Sequence, residues 1–238
     1  MDGIGRLNES ALHAALKLHY AQPGDTLETR IGGWVIDIVR GDPDDEPPPT
    51  LIEIQTGNFG ALKAKFAALL DLYPMRVILP LAAHKWITRI DADGGFIGRR
   101  KSPGGESALF AFREWVYIAP YVAHPNLTLE IAYTQQDEIW RDDGGGSWRR
   151  KHWSIADRRL AALDATDVIR TPADAYALFC RSLTAPPPDE FTTADVRARL
   201  SRARDGLCVS PAVNALWRMG ALARIGKRGR SFLYRAAS

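Results

Sequence analysis

Trp34-Val35-Ile36-Asp37-Ile38-Val39-Arg40 and Leu51-Ile52-Glu53-Ile54-Gln55 decide how this chain is read, because each places a carboxylate inside an otherwise apolar run. Both runs are rich in β-branched residues and bounded by turn formers, so both read as strands. Side chains alternate along a strand, so Glu53 and Gln55 share one face and Ile52 and Ile54 the other, while Asp37 stands mid-strand among Ile36, Ile38 and Val39. An unpaired carboxylate in dry surroundings is costly or is driven neutral, and two side by side also repel. A divalent cation offsets that cost directly. Mg²⁺ prefers oxygen ligands, accepts one or two carboxylates and keeps waters that can act as nucleophiles. Arg30, Arg40 or backbone donors would satisfy the same acids structurally.

Working outward, residues 9–20 have helical spacing and end before Pro23-Gly24. Residues 27–31, the turn Gly32-Gly33 and residues 34–40 form a hairpin. Residues 41–50, with four acids and three consecutive prolines, loop over the surface. Asn58 can cap a helix with Phe59, Leu62, Phe66 and Leu69 on one stripe, and Met75 to Leu81 is a further strand. The order is helix, three strands, helix, strand: an α/β core with a mixed sheet whose last two strands run parallel across a crossover helix. Beyond it, residues 85–90 and 96–100 form a hairpin, residues 109–118 an apolar helix and residues 127–133 a strand. Gly144-Gly145-Gly146 separates residues 138–140 from Trp148-Arg149-Arg150-Lys151-His152-Trp153, as a hairpin or as a loop with a basic aromatic arm. That arm and Arg99-Arg100-Lys101 can grip a phosphate backbone while a ring stacks on an unpaired base, or can be surface hairpins whose rings lie under arginine stems.

Asp37, a loop and then Glu53-Ile54-Gln55 within this element order resembles the restriction-endonuclease-like nucleases, whose signature is written PD-(D/E)xK. The resemblance covers about residues 9–82 and implies a metal-dependent phosphodiesterase. Asp37, Glu53 and the Ile54 carbonyl would hold Mg²⁺, with Mn²⁺ as a substitute, and Gln55 would position the water. Gln55 stands where the family has lysine, and Val35-Ile36 stands where proline usually precedes the first acid. Some members recruit the lysine from the next helix, where Lys63 and Lys65 are both available. Glu9 and Glu28 are further acids for the same site. Thr56-Gly57-Asn58-Phe59 would present backbone amides to a phosphate.

The 238 residues are 46% hydrophobic and 25% charged, the profile of a globular chain long enough for one full domain and a small second one. No apolar run approaches a membrane span and the first residues lack a secretion signal, so the expectation is a cytoplasmic protein with no membrane partner. Cys180 and Cys208 have no zinc spacing, the five histidines are scattered, and neither a GxSxG elbow nor a phosphate-binding glycine loop is present.

Pro186-Pro187-Pro188 is the clearest linker, and the charge changes after it. Residues 191–238 hold ten Lys/Arg against two Asp/Glu, whereas residues 1–190 hold 21 against 26. Such a basic unit suits a polyanion, because binding releases phosphate counterions. Residues 191–200 have a Thr cap and apolar residues at helical spacing and read as one helix. A second opens with Ser210 as cap and Pro211 at its first position, buries Val213, Leu216 and Trp217, and ends at Gly220. Residues 221–225 and 230–235 then form a hairpin with a basic tip. With the helix before the prolines, this order resembles the winged helix-turn-helix fold, giving domains at residues 1–170 and 171–238. The resemblance implies DNA as partner, Asn214 and Arg218 as groove readers, and Lys227, Arg228 and Arg230 on backbone phosphates. The combined expectation is a Mg²⁺-dependent DNA endonuclease, with a homodimer as an allowed assembly. The alternatives are a DNA-binding regulator or assembly factor with a degenerate nuclease core, and a protein-interaction module.

Overall fold

A computed structural model describes residues 10–42 and 46–237; Glu9, residues 43–45 of the acidic loop and the Arg149 side chain lie outside the described set. Ser10 opens α1 (Ala11–Tyr20), its hydroxyl accepting the His13 amide at 3.3 Å. β1 (Thr26–Ile31) and β2 (Trp34–Arg40) pair antiparallel from Thr26↔Val39 to Ile31↔Trp34. Gly32 and Gly33 have φ of +54° and +85°, the left-handed pair that a two-residue hairpin turn requires. β3 (Thr50–Ile54) pairs antiparallel with β2 through Ile38↔Ile52, Val39↔Leu51 and Arg40↔Thr50.

A short 3₁₀ turn, Phe59–Ala61, leads into α2 (Leu62–Leu69). Phe59, Leu62, Phe66 and Leu69 form the expected buried stripe, but Asn58 is in the left-handed region and makes no side-chain cap. β4 (Met75–Ile90) runs parallel to β3 from Leu51↔Met75 to Ile54↔Ile78. It is one strand where the sequence suggested two, because Pro80 fits inside it. The Gln55 amide donates to the Ile78 carbonyl at 2.8 Å, so by alternation residue 80 also faces β3, just past the point where β3 has ended. The amide that proline lacks would have had no ladder partner there.

β5 (Phe96–Lys101) pairs antiparallel with β4 across the predicted turn. Next come α3 (Ala111–Ile118), β6 (Leu127–Arg141) and β7 (Ser154–Ile169). Residues 148–153 are loop rather than strand, with a 3₁₀ turn at Trp148–Arg150. The fold is mixed α/β, with one seven-stranded sheet ordered β1-β2-β3-β4-β6-β7 and β5 on β4. Contacts divide the chain into two compact units, and the division falls within β4, β6 and β7. One unit holds α1, Ala82–Glu106 and Ala132–Ala165; the other holds Gly24–Leu81, Ser107–Ile131 and everything from Thr166 onward.

Within that second unit, Thr171 and Asp174 make a reciprocal cap for α4 (Pro172–Arg181), and Thr192 and Asp195 do the same for α5 (Thr193–Arg197). α6 (Gly206–Met219) begins four residues before the expected cap Ser210, with Pro211 inside it. The extra turn brings Cys208 and Val209 into the core with no exposed surface, which outweighs the one backbone hydrogen bond that Pro211 gives up. Gly220, φ +86°, ends the helix. β8 (Leu222–Arg228) and β9 (Ser231–Ala236) follow as a hairpin, and Phe191 bridges Tyr234 beside it. Trp217 is 37% exposed rather than buried. Among the described residues no helix is long and apolar enough to cross a membrane.

Candidate functional site

The β2–β3 ladder stops at Ile38↔Ile52, so the next pair in register is Asp37 opposite Glu53. Opposed residues of an antiparallel pair share a face, which puts both carboxylates on one side of the sheet. The strands part here. Asp37 Oδ2 accepts the Ile54 amide at 2.8 Å, so a side chain replaces a ladder bond. Glu53 is 5% exposed, and Asp37 is half-buried.

Lys65 supplies the charge that Glu53 needs. Its Nζ lies 2.7 Å from Glu53 Oε1 and also donates to the Val35 carbonyl at 2.9 Å. Lys63 and Lys65 are two residues apart and therefore flank the buried stripe of α2 on opposite sides. The Lys65 flank meets β2 and β3, and Lys63 is exposed. A cation from α2 thus stands beside the acid that precedes Gln55 by two positions. Gln55 itself turns its amide nitrogen to the Gly57 carbonyl in a close contact, closing its own turn.

Glu28 is exposed with φ +51°, and it falls between Leu27↔Ile38 and Thr29↔Ile36, at the register position of Asp37. By register the three acids are level across three strands, and the left-handed φ of Glu28 interrupts the pleat at its position. Among the described residues, however, no three His, Cys, Asp or Glu side chains converge closely enough to hold a metal ion. Asp37 and Glu53 with the Ile54 carbonyl remain a hard-oxygen donor set of the kind Mg²⁺ accepts alongside waters and substrate phosphates.

Sequence reasoning missed Glu114. Its Oε2 accepts the Phe59 amide at 3.1 Å, placing a carboxylate at the start of the turn that was expected to receive a phosphate. A negative group at a helix start is favoured by the helix dipole, and this one already takes one of the amides that the turn would offer an anion. Four residues of separation from Ile118 in an amphipathic α3 carry no signal of this long-range contact.

Among the predicted nucleic-acid residues, Asn214 is exposed on α6, and Lys227 and Arg230 are exposed on the hairpin. Arg218 donates to the Val116 carbonyl of α3 at 2.6 Å, which holds it against the body of this unit. Arg228 reaches Asp195 Oδ2 at 3.3 Å and the Glu190 carbonyl at 3.5 Å. In the other unit the basic aromatic segments pair internally: Arg99 lies 4.4 Å over Trp86 and 2.8 Å from Asp137, and Arg89 lies 5.1 Å over Trp153. Trp148 is 74% exposed. The same unit buries Glu138, which meets Lys85 at 3.3 Å, Arg158 at 3.2 Å and the Trp140 indole N–H at 3.1 Å. Burial alone would raise its pKa; those three donors together hold it below its ordinary value.

An uncharacterized protein of Treponema pallidum (strain Nichols) is 29% identical over 232 residues, covering 98% of this chain and 87% of that protein. No solved structure matches. Residues 10–170, which include α1 through β7 and thus Asp37, Glu53 and Lys65, match DUF8091, a domain of unknown function. The chain belongs to the DUF8091 family.

Proposed function

We propose that this protein is a metal-dependent DNA endonuclease of the cytoplasm, with the acids of β2 and β3 as its hydrolytic centre and the C-terminal helices and hairpin as its DNA grip. The observation that carries the reading is the juxtaposition of Asp37, Glu53 and Lys65, with the lysine 2.7 Å from Glu53. Two carboxylates and one ammonium at a parting pair of strands is the set that the PD-(D/E)xK resemblance requires, with the cation delivered from α2 instead of from Gln55.

Asp37, Glu53 and the Ile54 carbonyl would hold the cation. Magnesium, when bound, supplies Lewis-acid stabilisation of the charge that builds on a phosphodiester during in-line attack. Lys65 meets the buried Glu53 carboxylate at 2.7 Å and brings positive charge beside it, and the Val35 carbonyl fixes the ammonium. Asp37 keeps its carboxylate oriented through the Ile54 amide. The DNA grip rests on the net charge of residues 191–238, ten cations against two acids, and on the order α4, α5, α6, hairpin, with Phe191 joined to Tyr234, which resembles a winged helix.

A second reading keeps the DNA binding and drops turnover, and the contact of Gln55 with Gly57 favours it, because that carboxamide is already engaged. Supercoiled plasmid incubated with the full chain and Mg²⁺ or Mn²⁺ separates the two. Nicking that is lost on EDTA addition and in Asp37→Asn and Glu53→Gln supports the endonuclease. DNA retention without nicking supports the second reading. Nicking unchanged in both variants removes these acids from the chemistry.

A further inference from the structure

The wing hairpin carries a cation that the sequence comparison with winged helices did not single out. Arg224 is exposed on β8, and its guanidinium carbon lies 3.5 Å over the Trp217 ring, 4.3 Å over Phe232 and 5.7 Å over Tyr234. Lys227 Nζ lies 5.3 Å over the same Phe232 ring. Two strand residues three apart ordinarily face opposite ways. Here the register shifts between Arg224 and Gly226, so Arg224 pairs with Tyr234 while Lys227 pairs with Phe232. Phe232 and Tyr234 share a face, and the one-residue bulge therefore gathers both cations onto it.

Three other cations nearby are engaged, and Arg230 stands exposed at the hairpin tip with no ring beside it among the described residues. Arg228 is with Asp195, Arg235 with Glu190 and Arg218 with the Val116 carbonyl. Arg224 has ring neighbours and, among the described residues, no carboxylate. A guanidinium packed over aromatic rings keeps edge N–H groups for a planar or tetrahedral oxyanion, with less rotamer freedom left to lose. Trp217 lies on the exposed arc of α6 that also presents Ser210 and Asn214, so the fork sits where that arc meets the wing.

We propose that Arg224, clasped by Trp217 and Phe232, is the principal phosphate-binding residue of this unit, and that its ligand is a backbone phosphate of duplex DNA. The choice of polyanion follows from the charge of residues 191–238 and rests on the DNA-binding part of the function proposed above. Lys227 adds a second, looser contact along the same face.

Fluorescence anisotropy of a labelled duplex with the full chain, repeated across a salt series, tests this. Arg224→Gln is expected to weaken binding several-fold at low salt and to reduce the slope of log Kd against log salt by about one, the signature of one lost phosphate contact. Trp217→Leu keeps the charge and loses the clasp, so affinity falls with the slope retained. Arg224→Lys behaves like Trp217→Leu, because a point charge replaces the fork. Arg235→Gln, outside the clasp, leaves both unchanged. If Arg224→Gln is misfolded by circular dichroism, Arg224→Lys decides, and binding equal to wild type overturns the proposal. Wild-type binding with an unaltered slope in Arg224→Gln overturns it while leaving the DNA-binding reading intact. Wild-type chain that shows no salt-sensitive DNA binding overturns both.

Discussion

Asp37 on β2 holds the Ile54 amide of β3 at 2.8 Å, at the point where the backbone ladder between those strands ends. A carboxylate therefore does structural work at the same place where it would bind a cation. The two roles separate on substitution. Asp37→Asn keeps an acceptor for the Ile54 amide and removes the charge, so stability changes by no more than about 1 kcal/mol in urea denaturation, while metal-dependent nicking is lost. A large loss of stability would mean that the carboxylate's charge is needed for folding.

Lys65 is the counter-charge of a 5%-exposed acid. Lys65→Ala leaves Glu53 buried without its ammonium and costs about 3 kcal/mol, measured as a shift in the urea midpoint. Lys63→Ala, at an exposed position, shifts it by less than about 0.5 kcal/mol. Equal effects from the two lysines would contradict the geometry of α2.

Glu138 has its pKa held below 4.5 by Lys85, Trp140 and Arg158 against the cost of burial. A depressed folded-state pKa contributes stability that is fully present above the unfolded value and disappears as pH falls through the folded value. Wild-type stability therefore declines below about pH 4.5 in part through this group. Glu138→Gln is less stable at neutral pH and shows a shallower acid decline, read from urea midpoints across a pH series.

Asp195 closes the cap of α5 by accepting the Thr192 amide at 2.7 Å, a bond that heads the causes holding its pKa down. Asp195→Ala costs about 1 kcal/mol in thermal unfolding and frees Arg228 from its carboxylate. If the melting temperature does not move, the cap contributes nothing.

Gly105 has no room for a side chain: a Cβ there would lie 1.7 Å from the Ala83 carbonyl oxygen. Gly105→Ala costs about 3 kcal/mol, since backbone rather than a flexible side chain must give way. A stability equal to wild type by chemical denaturation would show that this approach relaxes freely.

The local elements around the acids were legible because their signals are short-range. Gly32-Gly33 dictates a hairpin, the spacing of Phe59, Leu62, Phe66 and Leu69 dictates a buried stripe, and both appear. Boundaries failed where tertiary context overrode local chemistry. Ser210-Pro211 is a strong helix start, yet burial of Cys208 and Val209 moved the start of α6 back to Gly206. Residues 75–81 and 85–90 read as separate strands, yet β4 runs unbroken through both, with Pro80 placed beyond the last β3–β4 pair, Ile54↔Ile78.

Sequence alone determined the inventory: acids at 37 and 53 within apolar strands, two lysines on the following helix, and a basic tail. Those follow from composition and periodicity. Only the tertiary structure decided that Lys65 rather than Lys63 meets Glu53, that Glu114 takes the Phe59 amide, and that a bulge turns Arg224 and Lys227 to the same rings. Each of these joins segments through register or helix rotation, and a side chain's partner across such a gap depends on where a distant backbone lies, which local preference does not encode.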